Sequence, residues 1–141
     1  MSATAIEEEL CALEEGQIDP KLFPHREHVR LGFEMLRRYS FAEAAARFAR
    51  GLRVIATKAG HPEVYNETIT VAFLALVGER LARKPQIDWV QFISDNSDLS
   101  DKNILGRWYE REQLTSPLAR ATFVLPQVSC RPGLPTRREV G

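Results

Sequence analysis

Apolar residues recur along most of this chain every three to four positions, the spacing that puts them on one face of an α-helix. Ile6, Leu10 and Leu13 form the first such stripe, opened by Thr4 with Glu7 as a capping box and closed at Gly16. A second helix is predicted from His25 to Tyr39, with Pro24 at its opening and Leu31, Gly32, Met35 and Leu36 on its inward side. Ser40 with Glu43 caps a third, carried by Phe41, Ala44, Ala45, Phe48, Leu52 and Ile55 and stopped at Gly60. From about 63 to 83 the chain is apolar around most of its middle, which marks a helix enclosed by its neighbours. Shorter helices follow: one capped by Asp88 and Gln91 with Trp89, Val90, Phe92 and Ile93, one through Ile104, Leu105, Trp108 and Tyr109, and one opened by Ser116 and Pro117 and running to Thr122. The pattern predicts an all-α, single-domain helical bundle over 1–125 with the 63–83 helix buried at its centre. Beyond it Pro126, Pro132, Gly133 and Pro135 with Arg131, Arg137 and Arg138 lack any period, so 126–141 reads as a Pro/Arg-rich extended tail.

Composition narrows the partners. A chain of 141 residues with 44% hydrophobic and 27% charged residues can bury a core without disulfides or metal staples. Its 19 basic and 19 acidic residues cancel, so no net field draws it to nucleic acid or to an anionic membrane. The longest apolar run, Val71 to Val77, is far short of the roughly 20 residues that span a bilayer. Met1 to Glu15 carries five glutamates and no basic residue, unlike an export signal, which points to the cytoplasm. Cys11 and Cys130 have no CxxC spacing and read as reduced thiols. A homo-oligomer, if formed, would use the tail or the aromatic face around Trp89 and Trp108.

The candidate chemistry comes from topology. Short turns near Ser40 and Gly60 make the second, third and fourth helices antiparallel neighbours, and the second and third are each roughly 24 to 27 Å long at 1.5 Å per residue. The start of helix two, the end of helix three and the start of helix four therefore share one end of the bundle. All three histidines of the chain, His25, His28 and His61, converge there with Tyr65, Asn66 and Glu67. His25 and His28 lie one turn apart on the inward stripe of their helix, and Glu67 heads a stripe through Val71 and Leu74.

Two imidazoles and a carboxylate are the minimal set for a divalent transition metal such as Zn, Fe or Mn, so His25, His28 and Glu67 are the candidate ligands. His61, Tyr65, Asn66, Thr68 and Thr70 stand where they can orient those ligands or touch a small molecule. Arg120, in SPLARATF, can reach a carboxylate or a substrate anion. Two other readings fit the same residues. A histidine beside Glu67 can act as a metal-free acid or base on a small ligand. Alternatively the cluster is architectural, with Glu67 complementing a helix dipole and the histidines hydrogen-bonded to loop carbonyls, in a structural or protein-interaction module without catalytic activity. Arg47, Arg50 and Arg53 read as a solvated face rather than a phosphate ridge, and Trp89, Phe92, Trp108 and Tyr109 as core. No Gly-rich phosphate loop, GxSxG elbow or catalytic cysteine context occurs.

The segments FPHREHVRLGFEML, YNETITVAF and SPLARATFVLP resemble those of a group of small, uncharacterised bacterial all-helical proteins, over about residues 22 to 126. The group shares an HxxH helix, a Tyr-x-Glu-Thr-Ile-Thr helix and a late Ala-Arg before Phe-Val-x-Pro. Its members often carry His at the position that is Asn66 here, which implies an altered site in this chain if that histidine is a ligand elsewhere. The resemblance supports the choice of residues and implies no reaction.

Overall fold

The computed structural model describes residues 3–127, which hold seven α-helices, four 3-10 turns and no strand. The bundle is built from α1 (Ala3–Glu14), α2 (His25–Arg38), α3 (Phe41–Lys58) and α4 (Glu67–Arg83). The shorter α5 (Trp89–Asp95), α6 (Arg111–Leu114) and α7 (Pro117–Ala121) then wrap one side of it. The 3-10 turns cover Pro20–Leu22, Pro62–Val64, Ser97–Ser100 and Ile104–Arg107. None of the described helices is long and apolar enough to cross a membrane.

Local chemistry explains most boundaries. Ser40, Asp88 and Ser116 each accept a hydrogen bond from the backbone N–H three residues on, at 3.3, 2.9 and 3.1 Å, and so start α3, α5 and α7. Gly60, with φ +82, ends the third helical segment in the left-handed region that glycine enters without steric cost. Pro24 stands just ahead of α2 as its N-cap, and Thr4, expected to cap α1, falls inside it. The segment expected as one helix from about 63 divides into the Pro62–Val64 turn and α4, because Asn66 caps α4 by accepting from the Ile69 N–H at 3.0 Å.

Two apolar clusters meet at α2 and α4. Leu10, Leu13, Leu31, Met35, Phe48 and Leu74 join α1–α4, and Val29, Phe33, Val77, Phe92, Leu99 and Tyr109 join α2 and α4 to the C-terminal wrap. Because α2 faces both clusters, Val29 and the run Leu31 to Met35 are buried almost without interruption. The 63–83 segment was expected to be the enclosed one, yet α4 buries a stripe through Thr70, Leu74, Val77 and Leu81 and leaves Ala75, Glu79 and Ala82 exposed. Glu34 is buried within α2 and is matched by Arg38 at 3.0 Å and Arg37 at 3.7 Å. Helices α1 and α3 pack so closely that a Cβ on Gly51 would lie 2.2 Å from the Leu13 carbonyl oxygen. Phe92 and Tyr109 are core as expected, and Trp89 meets Phe33 at a tilt of 52° and stacks on Phe92, but Trp108 is 47% exposed. Just past the 3-10 turn Ile104–Arg107, the Tyr109 N–H bonds the Leu105 carbonyl four residues back at 3.0 Å, a step that sets Tyr109 on the side of buried Leu105 and leaves Trp108 outside.

Candidate functional site

The residues singled out around the start of α4 face three different neighbours. At the start of α2, His25 Nε2 lies 2.8 Å from the carbonyl oxygen of Leu99 in the Ser97–Ser100 turn. A carbonyl only accepts, so Nε2 carries the proton and donates, leaving Nδ1 as the ring's remaining acceptor. The His25 ring meets Phe73 edge-on at 5.1 Å between centroids, and His28 meets Phe23 the same way at 4.1 Å. Burial, followed by the nearby charge of His25, pushes His28 down to about 4, so its imidazole is neutral at physiological pH. A carboxylate beside it would have the opposite effect.

Glu67 looks the other way, toward α3. Its carboxylate accepts from the Tyr65 hydroxyl and, at 3.3 Å, from Arg53 Nη2, whose guanidinium sits 5.2 Å above the Tyr65 ring. Burial, with the Glu67 contact second, pushes the Tyr65 phenol up to about 12, so it stays protonated and donates. His61 is exposed and pairs with Glu63 at 3.2 Å. Among the described residues no group of three or more His, Cys, Asp and Glu side chains is placed to hold a metal ion.

The third neighbour is the C-terminal wrap. Asn66 Nδ2 donates to the Leu114 carbonyl at 2.7 Å while its oxygen caps α4. Where the resembling group often has His, this chain thus has a side chain that both starts a helix and fastens a distant loop. Thr68, fully buried, donates to the Thr122 carbonyl at 2.8 Å and accepts from the Val124 N–H at 3.1 Å. Thr70 turns back on its own helix, donating to the Asn66 carbonyl at 2.8 Å. Arg120 is exposed on α7, with Glu63 the carboxylate that feels its charge. Arg47 pairs with Glu14 of α1 at 2.6 Å and with Glu43 at 2.8 Å, and its guanidinium lies 4.3 Å from the centre of the Tyr39 ring.

Sequence reading missed the partners of these groups: the carbonyls of Leu99, Leu114 and Thr122, and the side chain of Arg53. It also missed the bidentate pair in which Arg80 holds Asp98 while Arg107 donates to Asp98 Oδ2 at 3.0 Å. Those contacts hold the Asp98 carboxyl down at about 2. Cys11 is exposed and reduced, and Cys130 lies outside the described residues, as does the tail beyond Gln127. No family model, no curated protein and no solved structure matches the chain.

Proposed function

We propose that the chain is a cytoplasmic helical interaction module with no reaction of its own, and that the His, Asn and Thr residues at the start of α2 and α4 are fasteners. One observation carries the reading: His25, Asn66 and Thr68 each hydrogen-bond the backbone of a different C-terminal segment, at Leu99, Leu114 and Thr122. A metal or acid–base site needs free lone pairs and protons at a common point. Here both functional ends of Asn66 are used within the fold, and the Glu67 carboxylate faces Arg53 and Tyr65, so no carboxylate joins the lone pair that His25 keeps on Nδ1. Around them Val64, Ile69, Leu118, Phe123 and Leu125 are exposed, all on the first turns of α4 or on segments beside them, which suits contact with another protein.

The test is elemental analysis of untagged protein refolded with Zn, Fe and Mn, beside a His25→Ala/His28→Ala variant. A fastener role predicts no stoichiometric metal in either protein and a variant destabilised by about 1 to 3 kcal/mol through lost buried contacts. One ion per chain, lost in the variant and weakened as pH falls through the imidazole range, would instead establish the metal reading on His25, His28 and Glu67. Light scattering of wild type against Phe123→Ser/Leu125→Ser then asks whether the exposed apolar residues support association.

A further inference from the structure

Residues 122 to 127 form no helix and pair with no other backbone strand, starting from an extended Thr122 at φ −151 and ψ 164. Side chains supply the hydrogen bonds that a neighbouring strand would provide. Thr68 takes the Thr122 carbonyl and the Val124 N–H, at 2.8 and 3.1 Å. The Tyr109 hydroxyl donates to the Val124 carbonyl at 2.8 Å. Gln113 donates to the Leu125 carbonyl at 2.8 Å and accepts from the Gln127 N–H at 3.2 Å. Between these clamps the Val124 side chain packs against the core cluster that contains Phe33 and Val77, while Phe123 and Leu125 point outward at 40% and 71% exposure.

That is the grammar of extended-peptide recognition: fixed groups read the backbone regardless of sequence, and one pocket reads an alternate side chain. Thr68 and Tyr109 are buried, Thr68 on α4 and Tyr109 just past the Ile104–Arg107 turn, so the three readers come from elements outside the segment they hold. We propose that Thr68, Tyr109 and Gln113 line a peptide-binding groove, occupied in cis by residues 122–127, that accepts the same extended segment from a second copy of this chain. The inference rests on the interaction-module reading and names its surface. The cis segment leaves α7 directly, and so short a tether gives it a millimolar-scale effective concentration. Occupancy in trans therefore requires the resident segment to let go of Thr68, Tyr109 and Gln113.

The experiment uses the full chain and a fluorescent peptide, ATFVLPQ, copied from Ala121 to Gln127. Val124→Asp in the protein places a charge against the apolar pocket and expels the resident segment without touching the three readers. Peptide anisotropy is expected to show at least tenfold tighter binding to Val124→Asp than to wild type, and adding Thr68→Val to that variant should abolish the gain. Equal binding to wild type and to a Val124→Asp protein that melts cooperatively, or a gain that survives Thr68→Val, overturns the groove. Hydrogen exchange on wild type decides the matter if Val124→Asp does not fold. The Val124 amide should exchange at least tenfold faster than core amides of α2 such as Phe33, through release of the segment alone, whereas exchange only with global unfolding overturns the proposal. Neither result depends on metal content, so the groove can fail while the fastener reading stands, and the reverse.

Discussion

Helices Ala3–Glu14, His25–Arg38 and Phe41–Lys58 dock through apolar stripes, whereas the stretch from 88 to 127 has no element longer than seven residues. That stretch is held to the bundle by single polar side chains gripping its backbone as well as by burial. The first region is redundant: Leu10, Leu13, Leu31, Met35 and Phe48 share one cluster, and burial has no direction, so the loss of one contact leaves the register in place. The second is keyed. His25, Asn66 and Thr68 reach carbonyls 74, 48 and 54 residues away in sequence, and each bond specifies one loop position. Stripes therefore make a bundle, while hydrogen-bonded keys place irregular chain on it.

The largest test strikes the joint between the two regions. Phe33 is fully buried and meets the rings of Phe92 at 4.7 Å and Trp89 at 5.6 Å, so Phe33→Ala should cost about 3 to 5 kcal/mol in denaturant unfolding. Loss of protection in 88–127 ahead of α1–α3 would sharpen the contrast, and uniform loss would show the two regions to be one cooperative unit.

Acid is expected to act more mildly, within the first region, through His28 against Phe23. The folded chain holds His28 at about 4, against 6.5 for a free imidazole, so the unfolded chain binds the proton more readily. Stability from this group is full above about pH 6.5 and is lost as pH falls toward 4, by up to about 3 kcal/mol. Urea unfolding at pH 7.5 and pH 4.5 should show a smaller drop for His28→Gln than for wild type, and equal drops would remove His28 as the cause.

A smaller effect is expected from Thr68→Val, which keeps the shape and removes both bonds to the extended segment. It should cost about 1 to 3 kcal/mol, since the Thr122 carbonyl and Val124 N–H lose their partner. Exchange should quicken at Val124 and not in α1 or α3. A variant that left Val124 protected would mean that burial alone, and not the key, places this segment.

Much of the first region was legible because its causes are local. Helical period, the caps at Ser40, Asp88 and Ser116 and the stop at Gly60 all act over three or four residues, and so they define an all-α chain and most of its boundaries before any packing occurs. That His25, His28, Glu67 and Asn66 belong near one end also follows from helix lengths and short turns. What each of them touches does not. Rotation of a helix by a fraction of a turn decides whether Glu67 meets an imidazole or, as here, Arg53 and Tyr65. Both α2 and α4 contribute to the two clusters, so the burial along the 63–83 segment was set by which neighbours docked on it and not by its apolar richness. Hydropathy records how much surface a residue prefers to hide. Only the docked tertiary structure decides which neighbour hides it and which carbonyl a lone histidine or threonine finds.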